Sequence, residues 1–183
     1  LNYKLAVSDY TIKGGAGDDA IDFTNVGANT ANLSGGLVNG NKNIDTLTFN
    51  TITNATAYGG QGTDTIVVAS SQGATVNGNK DTDTLNITGA SSSSIFGGQG
   101  TDTLTMTGTS SASRIQGDLD ADTINVANVV SASTINGNGG DDAITLTATA
   151  FSASTVYGGS GNDTLTAAGA TAGVVFSGDL GND

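Results

Sequence analysis

Residues 59–66 read Gly-Gly-Gln-Gly-Thr-Asp-Thr-Ile, and residues 97–104 repeat them as Gly-Gly-Gln-Gly-Thr-Asp-Thr-Leu. The tripeptide that closes each stretch, Asp-(Thr/Ala)-(Ile/Leu), occurs eight times, and Asp183 begins a ninth copy. The aspartates are Asp19, Asp45, Asp64, Asp83, Asp102, Asp122, Asp142, Asp163 and Asp183, at spacings of 26, 19, 19, 19, 20, 20, 21 and 20. Each is the sixth residue of a hexapeptide that starts with Gly, from Gly14 to Gly178. The second and fourth positions hold Gly, Asn or Asp in every copy, the residue types that tolerate positive φ. The third accepts Ala16, Lys42, Gln61, Leu119 or Ser160. Backbone shape is specified at alternate positions while the side chain between them points away, so the hexapeptide is a loop of fixed form.

Alternation continues on both sides of the loop. After it, Ile21, Leu47, Ile66, Leu85, Leu104, Ile124, Ile144 and Leu165 are followed two residues on by Phe23, Phe49, Val68, Ile87, Met106, Val126, Leu146 and Ala167. Before it stand Ile12, Val38, Ala57, Val76, Ile95, Ile115, Ile135, Val156 and Phe176, and two residues earlier a small residue, as at Ala55, Ser93 or Ser133. Period two with β-branched residues predicts strands. Such a unit buries its apolar side only by stacking on copies of itself. The expected fold is therefore all-β: a right-handed parallel β-solenoid, or β-roll, with one coil of about 19–20 residues per repeat. At about 4.8 Å per coil, the nine copies predict a rod on the order of 40 Å long. Residues 1–183 read as one segment without a linker, and about seven extra residues lie around Gly27 to Gly36 in the first interval. A start at Leu1 and a stop within a loop suggest a piece of a longer repeat array.

Composition agrees. All 17 acidic residues are Asp and none is Glu, which favours turns over helices. Without His or Cys, zinc sites, thiol chemistry and His-dependent triads have no ligands or bases. A net charge of −12 disfavours nucleic acid, and no apolar run is long enough to cross a membrane as a helix. Apolar residues at 36% are too few for a thick core, which again favours a thin repetitive fold. No unique, non-periodic polar cluster marks a catalytic centre, so the expected chain is not an enzyme.

Stacking lines the sixth-position aspartates in a column, with neighbours roughly 5 Å apart. Bare carboxylates at that separation repel by about 1 kcal/mol per pair in water, and by more where water is excluded. Divalent cations between the coils would cancel that repulsion. Carboxylates together with loop carbonyls make a hard oxygen ligand set suited to Ca²⁺, and about six such ions would neutralise the chain. The loops resemble the RTX, or haemolysin-type calcium-binding, nonapeptide GGxGxDxUx, in which U is a large apolar residue; Gly14–Ile21, Gly59–Ile66, Gly97–Leu104 and Gly158–Leu165 match it fully. The resemblance implies that the nine sixth-position aspartates bind Ca²⁺ between successive loops. It also implies type I secretion of an unfolded chain that folds on calcium outside the cell. In one respect the sequence departs from the family: only one corner of each coil carries the loop, and the other carries segments such as Ser110–Ser113. A single ion column is expected, with occupancy reduced near Lys42 and Lys80.

These features predict an extracellular, calcium-stabilised structural segment of a surface-layer or fibre protein, associating with like chains. The alternatives are the calcium-binding tail of a secreted enzyme or toxin, and an adhesin or ice-binding extender. The outward Thr pairs, such as Thr103 and Thr105, are interrupted at Ala20, Asp22, Val67 and Ala143, which argues against a flat ice-binding array. Tyr58, Phe96 and Tyr157 each precede a full loop and are expected to point outward, as surface packing or as a platform for carbohydrate.

Overall fold

Alternating side chains fold into stacked parallel strands because each coil then covers the apolar face of the next. A computed structural model describes residues 7–24, 32–147, 150–168 and 173–183; its regular structure is all strand, and every strand pairing is parallel. One sheet has nine strands in sequence order: Thr11–Ala16, Leu37–Lys42, Thr56–Gln61, Thr75–Lys80, Ser94–Gln99, Arg114–Leu119, Thr134–Gly139, Thr155–Ser160 and Val175–Leu180. The opposite sheet, of 14 strands, collects those that follow the loops, such as Thr103–Met106 and Thr123–Val126. Register is kept from coil to coil: Ile95 pairs with Ile115, Ile115 with Ile135, and Ile135 with Val156. The chain is a β-solenoid. Part of the insertion expected around Gly27 to Gly36 lies outside the described residues, at 25–31.

The strands depart from the expected layout in two places. Those of the nine-stranded sheet run on through the first three loop positions, so that Asn41 pairs with Gly60 and Lys42 with Gln61. The far corner is also more than a turn. It contains a further short strand, as at Ser110–Ser111, which pairs with Val130 and Ser131 of the next coil. In two coils this strand merges with the post-loop strand, giving Thr46–Thr53 and Thr65–Gln72.

The core is one side chain thick. The expected inward positions from Ile12 to Val156 before the loops, and from Ile21 to Leu146 after them, are buried. Phe23 and Phe49 stack with ring centroids 5.4 Å apart. Leu165 is only partly buried, Ala167 is exposed and Phe176 is 40% exposed, because they lie in the last described coil and have neighbours on one side only. A further buried column, Leu33, Ile52, Ser71, Ala90, Ser110, Val130 and Phe151, runs along the short far-side strands.

Buried serines hold the far corner together. The backbone N–H groups of Ser93, Ser113 and Ser133 each donate to the hydroxyl of the serine one coil on, at 3.2 Å. Each hydroxyl in turn donates to a carbonyl of its own coil, Ser113 to Ser111 and Ser133 to Ser131, both at 2.9 Å. Removing the Ser133 hydroxyl leaves the buried N–H of Ser113 without an acceptor, while the Ser131 carbonyl keeps the N–H of Ala112. Ser133→Ala should therefore lower stability by about 1–3 kcal/mol, read as a lower urea midpoint at saturating calcium; an unchanged midpoint would show that this ladder contributes nothing.

Candidate metal centre

The loop conformation follows from the residues at its second and fourth positions. All eighteen of them have positive φ, from 72° at Asp179 to 151° at Gly181. The non-glycine members are Asn and Asp, such as Asn41 at 82° and Asp120 at 76°, whose short polar side chains make this conformation accessible. The first-position glycine is needed for a different reason. A β-carbon at Gly97 would lie 2.6 Å from Oδ2 of Asp102 and 2.7 Å from the carbonyl oxygen of Gly117 in the next coil. At Gly59 the corresponding distances are 2.5 Å to Asp64 Oδ2 and 2.7 Å to the Gly78 carbonyl. The carboxylate therefore folds back over the start of its own loop, where only hydrogen is small enough to lie beneath it.

This placement brings the expected site residues into one column and gives their two oxygens different partners. Oδ1 accepts the backbone N–H of the equivalent Asp in the preceding coil, at 2.8 Å from Asp45 to Asp64, 2.7 Å from Asp83 to Asp102 and 2.9 Å from Asp163 to Asp183. The same bond joins Asp19 to Asp45, Asp64 to Asp83, Asp102 to Asp122, Asp122 to Asp142 and Asp142 to Asp163, so the ladder connects all nine. Oδ2 is buried and accepts no hydrogen bond at Asp19, Asp45, Asp64, Asp83, Asp102, Asp122, Asp142 and Asp163. Asp183, in the last coil, is exposed.

A buried acceptor without a donor is rare and costly. Here it recurs at eight rungs, each Oδ2 packed over the first-position glycine of its own loop, and at most of them the carbonyl of the next coil's first-position glycine lies close to the same glycine. Carboxylate oxygens without a donor, together with nearby loop carbonyls, make a hard oxygen donor set of the kind that suits Ca²⁺. Among the described residues no three carboxylates converge, so backbone carbonyls must supply most of any such ligand set. Composition alone did not separate these inner aspartates from the outer ones. Asp81 and Asp120 are exposed and instead accept the N–H groups of Gly62 and Gly100 one coil back, at 3.0 and 3.1 Å. Glycine at the first position of all nine loops was the available signal, because it reports the carboxylate packed above it.

The model of the RTX calcium-binding nonapeptide repeat matches four segments, residues 11–25, 87–106, 131–148 and 152–170. The chain carries RTX calcium-binding repeats. Each matched segment contains one loop of the column, and the five loops outside them have the same φ pattern and the same glycine and aspartate. RTX repeats bind Ca²⁺, and the stacked buried aspartates fit that ligand. Neither the curated proteins nor the solved structures include a match to this chain.

Burial dominates the electrostatics of the RTX column. Desolvation pushes the carboxyls of Asp64, Asp102 and Asp142 up to about 6, and those of Asp83 and Asp122 up to about 8, against the hydrogen bond from the preceding coil, which acts downward. Neighbouring carboxylates add to the rise, as Asp102 and Asp64 do for Asp83. A carboxyl whose pKa is higher folded than unfolded favours the fold while protonated and opposes it once ionised. The calcium-free coil should therefore be most stable below the ordinary carboxyl value of 3.8 and lose stability as pH rises through about 6 and about 8. Circular dichroism of metal-free protein between pH 4 and 8 checks this, and β content that rises with pH would contradict it.

Asp102→Asn separates the two roles of the side chain. The amide oxygen can still accept from Asp83, and the NH₂ group would point a donor toward the Gly117 carbonyl where an oxygen now stands. The variant should stabilise the calcium-free coil by about 1 kcal/mol or more while weakening calcium binding. Parallel thermal melts in calcium and in chelator should move in opposite directions.

Proposed function

We propose that this chain is a non-catalytic, calcium-stabilised structural segment of a secreted cell-surface protein, of the surface-layer or fibre kind. In this reading Asp19, Asp45, Asp64, Asp83, Asp102, Asp122, Asp142, Asp163 and Asp183 each contribute one carboxylate to calcium held between successive loops. The observation that carries it is the row of eight buried Oδ2 atoms without a hydrogen-bond partner, each in the same setting one coil apart. Chemistry distributed evenly along a rod serves cohesion and rigidity, whereas a catalyst concentrates its groups at one place.

The thin core supports the same reading. A coil such as 95–113 buries Ile95, Leu104 and Met106 as its large apolar side chains, too little to offset the ordering of about twenty residues at roughly 1–2 kcal/mol each. Coil–coil contact and bound calcium must supply the rest. Extracellular calcium is abundant enough to fill weak oxygen sites, and cytosolic calcium is not, so export would couple folding to location. The carboxylate corner also gives like chains a face that calcium can bridge. Within the described residues no helix is long and apolar enough to cross a membrane.

Chelation tests the first half of the proposal. The β spectrum at neutral pH should collapse in EGTA and return with excess calcium, and metal analysis should find several ions per chain; a spectrum indifferent to EGTA, or one ion or none, would overturn it. Electron microscopy of calcium-loaded protein tests the second half. Sheets or fibres are expected, and dispersed monomers at high concentration would remove the lattice role.

A further inference from the structure

The outer face of the nine-stranded sheet carries a pattern that calcium binding leaves unused. Where the second loop position is Asn, the residue before the loop is also Asn and its side chain is locked onto the backbone: Asn39 Oδ1 accepts from Asn41 N–H at 2.9 Å and Asn77 Oδ1 from Asn79 N–H at 2.8 Å. Where the second position is Gly in the middle coils, the residue before the loop is aromatic: Tyr58 with Gly60, and Phe96 with Gly98. Tyr58 stands in register between Asn39 and Asn77, and Gly60 between Asn41 and Asn79. Gly60 and the half-buried ring of Tyr58 thus lie two residues apart on one strand and on the same sheet face, with the Asn41 backbone close against the glycine.

Gly60 borders an open depression, or notch, of about 440 Å³, within the size range of ligand sites. It is lined by Asn39, Asn41, Lys42, Gln61, Asn79 and Lys80 around that glycine, with Tyr58 outside the lining on the strand that Asn39 pairs with; no carboxylate borders it, although the chain as a whole has a net charge of −12. Lys42 pairs with Gln61 and Gln61 with Lys80, so the two lysines stand on either side of Gln61 with their backbones two strand spacings apart, roughly 10 Å. Neither lysine has an ion-pair partner, and the side-chain amides of Gln61 and Asn79 have no hydrogen-bond partner, among the described residues. Gly98, two residues after Phe96, borders a second notch, but Asp118 and Leu119 replace the amide and lysine on one side of it.

We propose that the depression at Gly60 binds an acidic polysaccharide. A pyranose ring offers a C–H face that packs on an aromatic ring such as Tyr58. Its hydroxyls suit neutral amides that both donate and accept, as Gln61 and Asn79 do. Lys42 and Lys80 would meet acid groups borne by successive parts of one strand. The exposed notch at Gly60 lets the sugar approach the backbone, and the strand runs along the column, across the coils. The site rests on the outer face and is independent of whether the rod forms lattices.

The test uses the calcium-loaded full chain and isothermal titration with dextran sulfate, neutral dextran and polyglutamate. Dextran sulfate should bind, with roughly tenfold weaker binding of neutral dextran and of polyglutamate. The double variant K42Q/K80Q should lose about tenfold in affinity and most of the salt dependence, and Tyr58→Ala about fivefold. Tyr157→Ala, at a rung without lysine, should bind as the parent does. Circular dichroism in calcium establishes that each variant keeps its β spectrum, so a failed fold is distinguished from a failed site. Wild-type affinity in K42Q/K80Q or in Tyr58→Ala, or equal binding of polyglutamate and dextran sulfate, would overturn the assignment.

Discussion

A single hydrogen bond, repeated at every interior coil, constrains the rest of the molecule: the backbone N–H of one sixth-position aspartate to Oδ1 of the next. Because that oxygen is committed to the neighbour, Oδ2 is turned inward above a glycine and left without a donor. The loop then has little freedom. Its first residue must lack a side chain, and its second and fourth must take positive φ so that the chain can pass around the carboxylate. Its third can be almost anything, because its side chain points to solvent. What reads as a glycine-rich motif is the imprint of one buried charge on six residues of backbone.

The opposite corner meets the same requirement without charge. There, too, a buried side-chain oxygen accepts a backbone N–H from the preceding coil, but the group is a serine hydroxyl whose own proton goes to a nearby carbonyl. A hydroxyl both donates and accepts, so Ser113 and Ser133 are satisfied within the protein. A carboxylate accepts only, and its second oxygen is stranded. The two corners are thus equivalent as ladders and opposite as electrostatic elements. The unpartnered oxygens of the aspartate corner are carboxylate oxygens, eight in a row, whereas at the far corner the Ser110 hydroxyl is the one buried oxygen without a partner among the described residues.

Much of this was legible in the sequence because two periods coincide, the two-residue alternation of strands and the repeat of 19 to 21 residues. The loops were readable for a further reason: positive φ restricts residue choice so strongly that Gly, Asn and Asp at eighteen positions specified a conformation the structure adopts at all eighteen. The far-side column was not readable. Leu33, Ile52, Ser71, Ala90, Ser110, Val130 and Phe151 occupy equivalent buried places, yet they share neither size nor polarity, so no residue class repeats. Ser93 and Ser133 read only as small residues, because a sequence shows that a serine is small but not that its hydroxyl has a partner one coil away. Nor does composition distinguish Asp83, buried in the column, from Asp81 two residues earlier on the surface; the distinction is positional, set by which of them lies above a glycine.

The arrangement also explains how so thin a core can respond sharply to calcium. Each carboxylate is tied to the loop before it, and its free oxygen lies near the loop after it, so three coils meet around one stranded charge. An ion bound there steadies all three, and the energetic term it removes, a buried anion without a partner, is among the largest a coil experiences. Neighbouring sites share loops, so filling one brings the ligands of the next closer to their bound positions, and binding to the folded form alone shifts the folding equilibrium. A solenoid with a thick core would be stable with or without the metal. This one buries little besides the ladder positions and a few aliphatic columns, so an ion at the aspartate edge would change a large share of what holds each coil.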